Sequence, residues 1–313
     1  MGDYLRLERV RKSYDGKVAV KDLDLTVPEG SVYGIIGPNG AGKTTTIRMV
    51  MNIIAPDSGR ILARGKPVDE SFKNVVGYLP EERGLYKKMK VWEVIRYMAQ
   101  LKGYRPKTWS EEVDRWLTLM DLSDRRNRKV EELSKGMQQK LQFITTVFHK
   151  PELIVLDELF SGLDPLNVEI MKNALLTLRK EGATILFSTH VMEQAEQMVD
   201  YLTMLRDGEK VLDGRLQDIK ASFGRKTIHL SLDGDTALVR AHPTVDRVVE
   251  FANYLEVDLK SGGDHMTLLR DVAQAARVNR FELVEPSLYN IFIRAAKIDP
   301  VAVRPTGGEV THV

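Results

Sequence analysis

Gly37-Pro38-Asn39-Gly40-Ala41-Gly42-Lys43-Thr44, continued by Thr45 and Thr46, is the stretch that decides the fold. Every fixed position of the G-x-x-x-x-G-K-[ST] pattern is present. An apolar run, Ser31 to Ile36, leads into it, and a helix-like stretch, Thr45 to Asn52, follows. The spacing predicts a strand, a glycine turn and a helix. The glycines let successive backbone N–H groups converge on a phosphate chain, and the helix N-terminus behind them favours an anion. Gly37, Pro38, Asn39, Gly40, Ala41, Gly42, Lys43, Thr44 and Thr45 are therefore candidate ATP contacts. Lys43 is placed for the β- and γ-phosphates and Thr44 for Mg²⁺.

Working outward, 313 residues suit one large domain and a smaller one. A net charge of +2 makes no case for a nucleic-acid groove or a polybasic membrane surface. There is no cysteine, which excludes disulfides and thiolate metal sites and suits a reducing compartment. The first residues, MGDYLRLERVRKSY, carry scattered charges and no apolar core, unlike a signal peptide. No apolar run reaches the length that spans a bilayer, so direct membrane insertion is not expected.

Before the loop, Leu5 to Ser13 alternate loosely, Asp15-Gly16 marks a hairpin turn, and Val18–Val20 and Leu23–Val27 read as two short strands. After it, 59–63 and 75–80 read as strands, the second ending at Pro80 and followed by Glu81 and Glu82. Helical spacing runs through 91–104, 109–122 and on to Val147. This predicts an inserted helical subdomain at about 87–150. Leu153-Ile154-Val155-Leu156 then runs into Asp157-Glu158, a buried parallel strand with acids at its carboxyl edge. A helix at 167–180, a strand at 183–188 ending at Thr189-His190, a short helix at 192–199 and a hairpin at 201–213 complete the expected first domain, 1–220.

A boundary is expected near 221–225. Beyond it, 228–232 reads as a strand, 245–254 as a helix, 255–260 with 266–269 as a hairpin across Ser261-Gly262-Gly263-Asp264, and 272–278 and 288–296 as helices. Together these predict a small α+β domain at 225–299. Residues 300–313, rich in Pro, Gly and Thr, read as a disordered tail.

Phosphoryl transfer needs a phosphate cradle, a magnesium ion and a positioned water. Asp157 is the candidate Mg²⁺ carboxylate, and Glu158 the candidate general base. With these residues in hand, 4–216 resembles one family closely, the nucleotide-binding subunits of ATP-binding-cassette (ABC) transporters. The resemblance rests on the phosphate loop, Leu133-Ser134-Lys135-Gly136-Met137, the 153–158 strand, Ser161-Gly162-Leu163-Asp164 and His190, in that order and spacing. It implies an α/β P-loop NTPase of the ABC type, with an antiparallel β subdomain and the inserted helical subdomain. Tyr14 then resembles the aromatic that stacks on adenine. Ser134, Lys135, Gly136 and Met137 resemble the segment that meets the γ-phosphate of a second subunit. Asp164 resembles the aspartate that couples the two sites, and His190 the γ-phosphate switch. The resemblance further implies a dimer, with a second copy or a related subunit, and a separate multi-span membrane permease. The chain would then sit on the cytoplasmic face of the membrane.

Three positions depart from the family pattern. Glu81 stands where glutamine is usual, at a position that contacts the metal and the membrane partner. LSKGM replaces the commoner LSGGQ, adding the Lys135 charge and losing an amide at Met137. Leu159 replaces proline. None removes Lys43, Thr44, Asp157 or Glu158, so ATP hydrolysis is expected. Glu82, Arg83, Gly84 and Tyr86 lie in the expected permease-coupling surface, together with Asp164 at the subunit interface. The end of the small domain, Glu285 to Arg294, resembles bacterial exporters of drugs, sodium or polysaccharides. Export of an unidentified substrate is the expected function. The alternatives are a soluble ATP-dependent regulatory protein built on the same cassette, and an importer subunit.

Overall fold

The computed structural model describes residues 2–82, 84–223, 227–251, 253–260 and 262–296. The chain divides into two compact units, Met1–Arg215 and Leu216–Val313.

The first unit begins with β1 (Asp3–Tyr14) and β2 (Lys17–Pro28), joined by Asp15 and Gly16, both at positive φ. Two left-handed residues make the tight hairpin whose twist matches its strands. The sequence suggested two short strands at 18–20 and 23–27; the structure has one. The polar Lys21-Asp22 step that seemed to break it is absorbed by a bulge, with Asp22 at φ 41° and the pairing register shifting between Val10 and Lys12. There follow β3 (Val32–Ile36), α1 (Lys43–Val50), β4 (Ser58–Ala63), β5 (Lys66–Pro67), α2 (Phe72–Val75) and β6 (Val76–Leu79). The inserted helices are α3 (Val91–Leu101), α4 (Trp109–Leu119) and α5 (Lys135–Val147). Then come β7 (Leu153–Asp157), α6 (Pro165–Lys180), β8 (Thr184–Thr189), α7 (Met192–Glu196), β9 (Tyr201–Arg206) and β10 (Glu209–Arg215).

These strands form two sheets. One is antiparallel, ordered β2-β1-β4-β5. The other is six-stranded, ordered β10-β9-β3-β8-β7-β6, and is parallel except at β10. Every residue of β3, β7 and β8 is buried, which is why β3 and β7 read as near-continuous apolar runs and β8 carries Ile185-Leu186-Phe187 at its centre, rather than alternating. Leu5, Leu7, Val20, Leu25 and Val27 from the antiparallel sheet share one core with Tyr33, Ile35, Val155 and Leu186 from the parallel one. Ile36 pairs with Thr189, and Asp157 with Ser188. The carboxyl ends of three central strands therefore lie level, the edge where parallel sheets bind ligands.

The second unit holds α8 (Leu216–Ser222), β11 (Thr227–Asp233), α9 (Ala237–Arg240), β12 (Val245–Glu250), β13 (Leu255–Leu259), α10 (His265–Ala275), β14 (Arg277–Val284) and α11 (Leu288–Ala295). Its sheet is antiparallel, ordered β12-β13-β11-β14. Helix α8 belongs to this unit, so the division falls several residues before the expected 221–225. Three expectations are corrected. Residues 245–250 are a strand rather than a helix: Val245, Val248 and Val249 sit at helical spacing, but β-branched side chains suit a sheet and β13 supplies the pairing. Met266 to Leu269 start a helix rather than return a hairpin, because Asp264 accepts from the Met266 and Thr267 backbone N–H groups and caps α10. That helix stops at Ala275, and 277–284 is a strand that the sequence reading missed. The expected tail, 300–313, lies outside the described residues.

Candidate active site

The loop after β3 is shaped by contacts only glycine permits. A Cβ on Gly37 would stand 2.2 Å from the Leu205 carbonyl oxygen, and one on Gly42 would stand 2.5 Å from that of Ala19. Gly42 also has φ 101°, which other residues avoid. Helix α1 starts at the next residue, so its free N–H groups open onto the loop.

Lys43 is buried and folded back over the loop. Its ammonium donates to the carbonyls of Gly37 (2.9 Å) and Pro38 (3.2 Å) and lies 3.2 Å from Glu158 Oε1. The other Glu158 oxygen, Oε2, is 2.9 Å from His190 Nδ1. Glu158 has φ 52°, a left-handed conformation rare outside glycine and often found at functional positions. Asp157, one residue earlier, takes different partners: its Oδ1 accepts from Thr44 Oγ1 at 3.2 Å and from Ser188 Oγ at 2.5 Å. Burial raises the Asp157 carboxyl above its usual range, against the lowering effect of those two hydroxyls. Ser188 Oγ also accepts from the Glu158 backbone N–H at 3.1 Å, so one serine steadies both acids.

A cavity of about 420 Å³ opens beside these groups, lined by Asn39, Gly40 and Gly42 to Thr45 of the loop and by Glu81, Glu158, Ser161 and His190. Its volume and its polar rim of lysine, hydroxyls and backbone N–H groups suit a nucleoside triphosphate. Thr44 Oγ1, Asp157 and Glu81 are oxygen donors, the set a hard divalent cation such as Mg²⁺ takes. Asp157, buried against two hydroxyls and beside the Glu158 carboxylate, fits a site that receives a cation.

Not every expected residue meets here. Tyr14 is 45% exposed, stands outside the cavity lining, and has the Lys12 ammonium 5.7 Å from its ring centre. Ser134, Lys135, Gly136 and Met137 do not line the cavity; Ser134 caps α5, accepting from the Met137 N–H at 3.3 Å. Asp164 caps α6 by accepting from the Asn167 N–H at 3.0 Å, and Asn167 holds its carboxyl below the usual range. Gly84 and Tyr86 are exposed, Tyr86 meeting Tyr97 edge-on at 5.3 Å. Glu82 is exposed, but its carbonyl accepts from Gln142 Nε2 at 3.2 Å. Arg83 lies outside the described residues.

Sequence reading missed Ser188, Gln139 and Gln142. Their signal was polarity in buried elements: a serine inside a buried strand, and two buried glutamines three apart on one helix face.

Comparison with known proteins agrees with this geometry. Residues 20–161 match the ABC transporter family, and residues 214–296 match the C-terminal domain of DrrA1-3-like ATP-binding proteins. An uncharacterised ABC transporter ATP-binding protein of Bacillus subtilis, YhaQ, is 43% identical over 92% of this chain and 97% of its own length. The Nod factor export ATP-binding protein I of Cupriavidus pinatubonensis is 35% identical over 69% of this chain and 67% of its own. A solved ATP-binding subunit of an ABC transporter superposes with TM-score 0.65 at 29% identity, over 70% of this chain and 93% of that one. The chain belongs to the ATP-binding subunits of ABC transporters, the ATPases that drive transport together with a membrane partner.

Proposed function

We propose that this chain powers export of a substrate through a separate multi-span permease, working as a dimer at the cytoplasmic face of the membrane. The observation that carries the direction is the second unit: residues 214–296 match the DrrA-like C-terminal domain, and a Nod factor export protein stands among the relatives. Among the described residues no helix is long and apolar enough to cross a membrane, in keeping with a permease that is a separate chain.

The contacts support the roles of the loop, Lys43, the two acids and His190, and the family pattern supports the rest. The loop N–H groups and Lys43 hold the β- and γ-phosphates. Entry of a γ-phosphate draws Lys43 from Glu158, which frees that carboxylate to take a proton from the attacking water. His190, hydrogen-bonded to Glu158, holds it in place and meets the γ-phosphate. Thr44, Asp157 and Glu81 would hold Mg²⁺, which when bound neutralises charge on the β- and γ-oxygens. Tyr14 stacks on adenine. Ser134, Lys135, Gly136 and Met137, which lie away from their own chain's cavity, face the phosphate of a second copy or related subunit, with Asp164 beside that interface. Glu82, Arg83, Gly84 and Tyr86 meet the permease.

The test is to recover the chain, tagged at its N-terminus, from gently solubilised native membranes and identify stoichiometric partners. A multi-helix membrane protein at one-to-one ratio is expected. Recovery only in the soluble fraction, bound to ribosomes, nucleic acid or a soluble protein, would overturn the export reading and leave the ATPase standing.

A further inference from the structure

Helix α5 buries Leu141, Phe143, Ile144 and Val147 completely, and with them a set of polar side chains, Lys140, Thr145 and Thr146 included. Among them stand Gln139 and Gln142, each only 7% exposed. A buried amide is costly unless it is hydrogen-bonded, so where these two bond is informative. Gln142 Nε2 donates to the Glu82 carbonyl at 3.2 Å, and Gln139 Nε2 donates to the Leu159 carbonyl. Being three residues apart, the two side chains share one helix face. Each acceptor is the residue directly after a proposed participant in the chemistry: Glu82 follows Glu81, and Leu159 follows Glu158. Both glutamines line, with Glu81, Asp157 and Glu158, a second cavity of about 160 Å³. The same helix is capped at its start by Ser134, roughly 12 Å along the axis from Gln142.

We infer that Gln142 and Gln139 are positioning residues that hold the Glu81 and Glu158 loops to α5, so that a shift of this helix moves both. The inference rests on the reading of Glu81 as a metal contact and Glu158 as the base. A rigid helix passes displacement at Ser134 to two backbone carbonyls of its own site. Gln142 then governs the metal side and Gln139 the water side, two separable effects.

The experiment measures steady-state ATP hydrolysis of the full chain against ATP and Mg²⁺, with ATP binding and melting temperature alongside. Gln142→Met keeps the side chain's length and loses the donor; the Mg²⁺ concentration for half-maximal rate is expected to rise about fivefold. Gln139→Met is expected to lower kcat roughly tenfold with the Mg²⁺ midpoint unmoved. In both, ATP binding and melting temperature stay near those of the parent. Gln142→Glu and Gln139→Glu set an acceptor against each carbonyl and are expected to exceed the methionine effects; they carry the test if a methionine variant does not fold. Parent-like kcat and Mg²⁺ dependence in all four, or changes confined to melting temperature and ATP binding, would overturn the inference. Glu81→Gln and Glu158→Gln run in parallel. If they shift Mg²⁺ dependence and kcat while the glutamine variants do not, the positioning role alone fails. If they too behave as the parent, the underlying reading fails.

Discussion

Each unit buries an aspartate and a glutamate within three residues of one another, and the two pairs have opposite fates. In the first unit Asp157 is 1% and Glu158 9% exposed; in the second Glu256 is 1% and Asp258 3% exposed. Asp157 and Glu158 end a parallel strand, and the left-handed turn at Glu158 lets neighbouring acids take different partners beside an open cavity. Glu256 and Asp258 are two apart within β13, on the sheet face opposite Leu255 and Val257, and their needs are met locally. Thr227 Oγ1 donates to Asp258 at 2.8 Å, Arg294 of α11 forms an ion pair with it, and Ser287 lies 3.5 Å from Glu256. Burial of a carboxylate is thus not itself a sign of chemistry. Opening onto a cavity that Lys43 also lines, 3.2 Å from Glu158, is what separates the first pair from the second.

The sharpest way to break the comparison is to make the same change in both places. Glu158→Gln should lower ATP turnover at least about 100-fold, the scale of a lost general base, whereas Glu256→Gln should leave it within about twofold. Equal losses would mean that the second pair is no mere fastening. Next in size is Asp258→Ala, which leaves Arg294 facing a vacated pocket. Chemical denaturation should show the second unit less stable by about 3 kcal/mol, with ATP binding by the first unit intact.

A pH titration extends the comparison to His149, at the end of the inserted helices. Burial, and then the neighbouring Lys102 charge, lower its imidazole from 6.5 to about 4. The folded state thus binds the proton less readily than the unfolded chain. The stabilisation is complete above pH 6.5 and is lost as pH falls through 4, amounting to about 3 kcal/mol. Denaturation midpoints across that range should show the slope in the parent, and His149→Gln should flatten it. The smallest change in stability is expected from Asp157→Asn. Because burial raises that carboxyl, its charge costs stability that grows as pH rises through the unfolded value and persists at neutrality. The amide should raise the melting temperature at pH 7 while hydrolysis falls.

The two units also differed in how much their sequence disclosed. In the first, the buried strands β3, β7 and β8 carried apolar runs followed closely by glycine, acid or histidine, so strand and site could be read together. In the second, Val245-Asp246-Arg247-Val248-Val249 carries helical spacing on residues that favour strands, and only pairing with a distant segment decides between them. Asp264 likewise reads equally well as a turn residue and as a helix cap. Within the site, the ion pair between Lys43 and Glu158, the Ser188 bridge and the two α5 glutamines join segments far apart in the chain. No local pattern encodes such meetings, and they emerge only from the level carboxyl ends of the sheet.

The central claim is that one chain carries half of each site, with Glu158 discharging the ATP that holds two halves together. Light scattering on Glu158→Gln, with Mg²⁺ and ATP and with bound nucleotide quantified, tests it most directly. The account predicts a species of twice the 35.5 kDa chain mass, with ATP retained and not hydrolysed. A single-chain mass with ATP confirmed bound, or turnover at the parent rate, would contradict it.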